Sequence, residues 1–205
     1  PFEAVRLETN PLITAELFEN QKEGKNINGA SVIRVPEWVP NPRGKYYMYF
    51  AHHSGKYIRL AVADALAGPW KVYADGVFPL NNAIGFTHHI ASPDVHIDED
   101  KKEIRMYFHG GVKKQGQKTG VALSKDGLRF ESTGDILGEF YFRVFEHNGF
   151  YYAVAKDSNT GWGCLYRSDN PLAGFEKRKS PFVEKMRHCA LLKHDDTLYV
   201  FYSRV

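Results

Sequence analysis

The sequence contains little cysteine. Among its 205 residues there are two, Cys164 and Cys189, which are too few for the disulfide framework of small secreted domains. A single bridge would need Cα atoms within about 7 Å of each other, and the sequence leaves that separation open. We interpret both residues as free thiols without a chemical role.

Neither sign of charge dominates, and long apolar runs are missing. Lys and Arg number 27 against 24 Asp and Glu, which gives a formal net charge of +3. This balance argues against nucleic acid and anionic membranes as partners. No segment reaches the roughly 20 apolar residues of a membrane span.

The amino-terminal residues also lack a recognisable targeting signal. The chain starts Pro1-Phe2-Glu3-Ala4, without methionine and without the charged and apolar regions of a secretory signal. The cytoplasm is therefore the favoured compartment, and export remains open if a signal upstream has been removed.

What the sequence does contain is an internal repeat. Corresponding residues in its four copies are separated by 58, 47 and 47 positions, close to the roughly 40–50-residue period of β-propeller blades. An apolar strand and a turn precede each copy, and a further strand with an aromatic-ended tail follows three of them. The copies, rich in aromatic and other apolar residues, are Lys45–Phe50, Glu103–Phe108, Phe150–Val154 and Thr197–Tyr202.

The repeat predicts an all-β protein, a β-propeller with about three and a half blades in this chain. The alternative is an irregular β-sandwich, whose strands need not repeat at near-constant spacing. A ring needs closure to cover its sheet edges, so we expect a further blade after Val205, or a partner chain, to fill the missing sector. One helical turn is predicted at 14–20. The single domain, 1–205, is divided into an N-terminal segment, 1–29, and blades at about 30–75, 91–133, 141–178 and, incomplete, 187–205.

The segment Ala91-Ser-Pro-Asp-Val-His96 resembles the Ala-Pro-Asp-Val strand of glycoside hydrolase family 43 and its five-bladed relatives. The tails Leu66-Ala-Gly-Pro-Trp70 and Leu172-Ala-Gly-Phe175 are similar to blade tails of the same enzymes. The likeness runs from about residue 28 to 205 and is strongest to an uncharacterised bacterial group of propellers. It implies a five-bladed propeller, a carbohydrate ligand and a central pocket.

Glycosidic hydrolysis needs a group that protonates the leaving oxygen and a carboxylate that activates water or attacks the sugar. In the resembled family three acids meet in the central pocket, and the likeness places Asp94 at the second, which tunes acidity. Gly29 stands where the base is expected, and Glu139 lies slightly upstream of the expected acid. We therefore predict Asp94 and Glu139 as the catalytic residues.

Further polar residues lie where inner strands of the resembled propellers meet ligand. Strand alternation places Asp94 and His96 on one face, and Arg143, Arg187 and His188 begin the third and fourth inner strands. Cations there suit hydroxyls, a uronate or a phosphate. The alternatives are a backbone-bonded carboxylate for Asp94, salt bridges between blades for the arginines and simple packing for His188. The predicted substrate-binding residues are Asn28, His96, Arg143, Trp162, Arg187 and His188, with Trp162 a loop platform for a sugar ring.

The histidines invite a metal hypothesis, but their spacing matches no recognised ligand pattern. Adjacent histidines on a strand also face opposite sides. We predict no transition-metal site and no cofactor, while the resemblance leaves open a central cation such as calcium. The histidines concerned are His52, His53, His88, His89, His96, His109 and His188.

Three functions fit these residues. The first is glycoside hydrolysis in the central pocket. The second is a phosphorylase-like reaction, in which Arg143, Arg187 and His188 bind inorganic phosphate and one acid suffices. The third is a non-catalytic carbohydrate-binding propeller, which accounts for Gly29 and Arg143 standing where acids are expected.

Overall fold

The computed structural model describes Glu3 and residues 5–204, and the fold is nearly all β. Within these residues the helical segments are one short α-helix, α1 (Gln21–Gly24), and two 3₁₀ turns, Ala15–Leu17 and Leu80–Asn82. The first 3₁₀ turn lies inside the helical turn predicted at 14–20. None of the described helices has the length and apolar character to cross a bilayer. Four residues lie outside the described part of the chain: Pro1, Phe2, Ala4 and Val205. The prediction about a targeting signal rests on the first three of them.

The strands lie where the repeat predicts them. The repeated segments form β2, β6, β9 and β13, and the apolar segments before them form the inner strands, which we define as β1, β5, β8 from Phe140 onward, and β12. The full set is β1 (Asn28–Arg34), β2 (Tyr46–Ala51), β3 (Tyr57–Ala63), β4 (Lys71–Pro79), β5 (Phe86–Asp98), β6 (Glu103–Val112), β7 (Gly116–Ser124), β8 (Glu131–His147), β9 (Phe150–Lys156), β10 (Gly163–Ser168), β11 (Glu176–Val183), β12 (Met186–His194) and β13 (Thr197–Arg204).

The strands form antiparallel sheets in chain order. β1 to β4 make a four-stranded sheet, β5 to β11 a seven-stranded sheet, and β12 and β13 a hairpin. Strand β8 pairs with β7 up to Glu139 and with β9 from Phe140. The seven-stranded sheet therefore consists of two four-stranded units that share β8, so three full units are followed by a hairpin.

The second strand of each of the first two units is covered on both faces. Residues 47–51 of β2 and 104–110 of β6 are all buried, which explains why these segments are apolar at consecutive rather than alternate positions. Phe108 joins the two units, with ring centroids 4.9 Å from Phe78 and 4.8 Å from Phe86. The core therefore lies between neighbouring sheets.

The aromatic tails of the second and third units each dock on a buried tyrosine of the unit before. Phe130 packs edge-to-face on Tyr49 at 5.7 Å, and Phe175 packs on Tyr107 at 6.4 Å. This repeated contact holds successive units side by side, with their inner strands toward one another. Each tyrosine hydroxyl also donates to a tail carbonyl, Tyr49 to Gly127 at 3.0 Å and Tyr107 to Pro171 at 2.8 Å.

Candidate functional site

All four inner strands contribute residues to one cavity of about 280 Å³. We call it the inner-strand cavity. Because each unit contributes its own inner strand, residues far apart in the sequence become neighbours here. Its polar lining consists of Asn28, His53, Ser92, His109, Tyr141, Arg143 and His188, and no carboxylate is among the described residues that line it.

Each inner strand shifts register against its neighbour at this level. Gly29, Ser92 and Tyr141 lie in these irregular stretches with φ of 60°, 48° and 65°, and Arg187 occupies the corresponding place in β12. A β-bulge of this kind re-aims side chains and is common beside binding sites. Left-handed backbone is rare for a residue as large as tyrosine, so the inner-strand cavity concentrates backbone strain.

The space around Gly29 explains why no side chain stands at this position. A Cβ on Gly29 would lie 2.7 Å from the Cα of Ser92, closer than real Cβ contacts allow. Strands β1 and β5 therefore approach too closely for any side chain there. Asn28, next to it, does line the inner-strand cavity, and its amide donates to Asn26 Oδ1.

Arg143 ties three units together at the wall of the cavity. Its Nε donates to the carbonyl of Cys189 at 3.3 Å, and its Nη1 lies 3.2 Å from the carbonyl of Ser92, 3.4 Å from that of Pro93 and 3.1 Å from that of Phe142. The guanidinium is thereby fixed in orientation. Its Nη2 has no hydrogen bond among the described residues.

Asp94 lies on β5 but is not among the residues that line the cavity. Its Oδ2 accepts hydrogen bonds from the Val144 N–H at 2.8 Å and from His96 Nε2 at 2.9 Å, so it links β5 to β8. Burial opposes ionisation of Asp94, but His96, Arg143 and the Val144 N–H outweigh it and lower its pKa. The carboxylate is therefore charged at neutral pH, and His96 is its partner rather than a lining residue.

Glu139 lies in a separate cluster. It is 7% exposed, accepts a hydrogen bond from Ser158, and lies 3.4 Å from Lys118 Nζ and 3.9 Å from Lys177 Nζ. These partners are all different from those of Asp94, and Glu139 does not line the inner-strand cavity. The structure therefore places the two predicted acids in different surroundings.

Asp157, in the same cluster as Glu139, offers a test of stability at acid pH. Burial opposes its ionisation, but hydrogen bonds from Ser180, the Asn159 N–H and Lys177 lower its pKa to about 2. Because this value lies below the usual 3.8, the stabilisation is complete above about pH 4 and disappears as the pH falls toward 2. We expect urea unfolding to show a larger loss between pH 6 and pH 3 for the wild type than for Asp157→Asn.

The control for this prediction is Asp195→Asn, because the Asp195 side chain is 89% exposed. This variant should lose as much stability as the wild type between the two pH values. Equal losses for the wild type and Asp157→Asn would contradict the role given to Asp157.

The remaining predicted residues divide between the cavity and the surface. His188 lines the inner-strand cavity, and its ring lies 4.8 Å from that of Tyr141. Arg187 is exposed beside it, and its charge helps to lower the pKa of His188, after the larger effect of burial. Trp162 lies in the turn between β9 and β10, where its carbonyl accepts from the Asp157 N–H at 2.8 Å. Trp162 is not among the lining residues of the cavity.

Four polar lining residues were absent from the predicted site: His53, Ser92, His109 and Tyr141. His109 is 3% exposed, its ring lies 4.3 Å from that of Tyr141, and its Nδ1 has no hydrogen-bond partner among the described residues. Burial, and then the nearby His89 and Arg143, lower the pKa of His109 to about 3, so the imidazole is neutral. A sequence signal existed for His109, because it directly follows the repeated segment Glu103–Phe108, within β6.

The described residues contain no group of three or more His, Cys, Asp or Glu arranged to hold a metal ion. Both cysteines are free, and burial raises the pKa of Cys164 to about 12 and that of Cys189 to about 11. They are therefore protonated at neutral pH, in keeping with the interpretation as unreactive thiols.

No family model matches the chain. A curated relative, an uncharacterized protein of Acanthamoeba polyphaga mimivirus, is 29% identical over an alignment 236 residues long, which covers 98% of this chain and 65% of the relative. The chain thus spans less than two thirds of the length of this relative. The likeness to a bacterial group stays a prediction.

Several solved structures are similar in fold. The α-L-arabinofuranosidase of Clostridium thermocellum has a TM-score of 0.60 and 20% identity, covering 85% of this chain and 60% of that one. An exo-β-1,3-galactanase of Phanerochaete chrysosporium, solved with β-1,3-galactotriose, has a TM-score of 0.65 and 16% identity, covering 88% and 44%. A thermostable family-43 glycoside hydrolase has a TM-score of 0.63 and 18% identity, covering 88% and 68%. The fold of this chain is therefore similar to that of glycoside hydrolase family 43.

Proposed function

We propose that this chain belongs to a glycoside hydrolase-like protein that binds a sugar in the inner-strand cavity. The observation that carries the proposal is the convergence of four irregular inner strands on one small cavity. Strain of this kind persists where the surrounding structure fixes it, and it clusters at binding sites. The cavity volume of about 280 Å³ is near the lower end of ligand pockets, roughly 300–1,000 Å³, and suits a single sugar ring.

The lining chemistry supports a carbohydrate. Asn28, Ser92 and Arg143 Nη2 offer hydrogen bonds to hydroxyl groups. Tyr141 stands between the rings of His109, at 4.3 Å, and His188, at 4.8 Å, and presents an aromatic surface with a polar end. Such a combination of a ring and fixed polar groups is typical of small-molecule sites.

We further propose that the units belong to a five-bladed ring with the inner-strand cavity on its axis. The repeated docking of Phe130 on Tyr49 and of Phe175 on Tyr107 supports radial growth of the sheet array. The match covers 60% of the Clostridium enzyme, as expected if this chain provides three full units and a hairpin of a five-bladed ring.

Hydrolysis is the reaction that the fold favours, and we propose Asp94 as a positioning residue for it. Its carboxylate fixes the Val144 N–H at 2.8 Å, next to Arg143, and thereby the bulge that carries Tyr141. Hydrolysis also needs carboxyl groups for proton transfer. Because no carboxylate is among the described lining residues, these groups must come from elsewhere in the protein. Glu139 is better suited to joining the two units that share β8, because Ser158, Lys118 and Lys177 occupy its oxygens.

The test of sugar binding is a panel of pentoses, hexoses, uronic acids and short oligosaccharides offered to the full-length protein. We expect at least one sugar to raise the melting temperature and to bind in isothermal titration. Tyr141→Asn, which removes the ring but tolerates left-handed backbone, should weaken that binding at least tenfold. Trp38→Phe, which changes a side chain hydrogen-bonded to Glu99 outside the cavity lining, should not. A panel without any bound sugar would refute the proposal.

The test of hydrolysis is the release of reducing sugar from oligosaccharides that bind. Because misplacement of positioning groups lowers catalysis about 10²-fold, Asp94→Asn should reduce kcat by about that factor with a smaller change in KM. Binding without turnover in the wild type would reject hydrolysis and leave a carbohydrate-binding propeller.

A further inference from the structure

The inner-strand cavity combines several basic groups with no carboxylate among its described lining residues. Arg143, His53 and His188 line it, and Arg187 and Lys156 lie near enough to lower the pKa of His188, although burial has the larger effect. The carboxylate on the neighbouring part of β5, Asp94, is already bonded to His96 and the Val144 N–H. Asp94 interacts with the Arg143 charge from behind the cavity wall, whereas the lining itself presents nitrogen groups and no carboxylate to a ligand.

His109 is the second observation that points to a ligand. Its side chain lines the cavity while being 3% exposed, and its Nδ1 has no hydrogen-bond partner within the described part of the chain. Buried polar groups in native proteins are nearly always bonded, and each exception costs about 1–3 kcal/mol. A ligand oxygen would satisfy Nδ1, which donates to an acceptor oxygen in the tautomer that carries the proton on this nitrogen.

Arg143 supplies a fixed donor for the same ligand. Four backbone carbonyls hold its Nε and Nη1, so its free Nη2 is oriented before any ligand arrives. Charge-assisted hydrogen bonds from a guanidinium to an oxyanion are about twice as strong as neutral ones, and a pre-organised donor loses little entropy on binding.

We propose that the sugar in this cavity carries an anionic group, a carboxylate or a phosphate, whose oxygens accept hydrogen bonds from Arg143 Nη2 and from the imidazoles of His109 and His188. This inference rests on the proposed function, because it names the class of sugar that the cavity selects. The ring of Tyr141, between the two imidazoles, then faces the sugar itself.

The experiment compares matched ligands by isothermal titration of the full-length protein: D-glucose with D-glucuronate and D-glucose 6-phosphate, D-galactose with D-galacturonate, and inorganic phosphate alone. We expect an anionic member to bind at least tenfold more tightly than its neutral counterpart. Tighter binding of the uronates assigns a carboxylate, and tighter binding of D-glucose 6-phosphate assigns a phosphate.

Two variants and a matched control test whether the preference for anionic sugars arises in the inner-strand cavity. His188→Gln and His109→Gln should each remove most of the preference for the anion. His194→Gln, on the same strand as His188 but with a side chain that is 70% exposed, should retain it. Circular dichroism checks that each variant is folded, and His188→Gln is the decisive variant because its side chain is exposed.

The outcomes separate the two proposals. Equal affinity for neutral and anionic sugars would overturn the anionic group and leave sugar binding intact. If inorganic phosphate binds but none of the sugars does, both proposals are overturned. The same holds if nothing binds at all. A preference for anions that His194→Gln removes as strongly as His188→Gln would also overturn the assignment to this cavity.

Discussion

Replacement of Arg143 by alanine is expected to lower the free energy of unfolding by about 2–4 kcal/mol and to abolish ligand binding. The guanidinium donates to four carbonyls on β5, β8 and β12, and hydrogen bonds to charged groups contribute about 1.5–3 kcal/mol each without adding fully. The variant would leave partly buried carbonyls unpaired where three units meet. Urea denaturation followed by circular dichroism measures the change.

Arg178→Ala is the control for Arg143→Ala. Arg178 is also paired, with Glu176 at 2.9 Å, but its side chain is 48% exposed and that of Glu176 is 70% exposed. Exposed ion pairs contribute about 0–1 kcal/mol, so this variant should be close to the wild type. Similar stabilities of the two arginine variants would show that Arg143 does not join the units.

Replacement of Gly29 by alanine is expected to destabilise the fold by about 2–5 kcal/mol. A left-handed conformation costs a non-glycine residue roughly 1–2 kcal/mol, and the new Cβ would meet the Ser92 Cα at 2.7 Å, adding an overpacking cost of about 1–3 kcal/mol. Because the obstructing atom belongs to the backbone of another unit, the strands themselves must move apart. The same obstacle predicts that Gly29→Asp does not restore a catalytic base.

Gly149→Ala separates the two contributions at Gly29. Gly149 has a φ of 72°, similar to the 60° of Gly29, but a Cβ added to Gly149 would meet no described atom within 4 Å. Its replacement should therefore cost only the conformational part, about 1–2 kcal/mol. Equal losses at the two glycines, measured by urea denaturation, would contradict the close approach of β1 and β5.

Local pattern was enough to place most strands. The copies 103–108 and 150–154 lie within β6 and β9 as observed, because a strand covered on both faces must be apolar at consecutive positions. The tails ending at Phe130 and Phe175 were also visible as repeats. Their role, docking on tyrosines of the preceding unit, was not visible, since it depends on contacts between residues about 70 to 80 positions apart in the chain.

The prediction of the site was limited by the bulges. Strict alternation along β5 predicts that Asp94 and His96 face a pocket, whereas the register shift before Asp94 presents Ser92 to the cavity instead. A one-residue shift reverses the side on which every later side chain lies. Asp94 and His96 consequently bond to each other, and Asp94 also bonds to β8.

The sequence by itself determined the all-β class and the repeated strand segments, because these depend on apolar patterns within short segments. Only the tertiary structure decided which side chains share a site. It brought Asn28, Arg143 and His188 together with His109 and Tyr141, and gave Glu139 a separate set of partners. The physical reason is that bulge geometry and the packing of one unit on the next set side-chain direction, and both arise from contacts between distant parts of the chain.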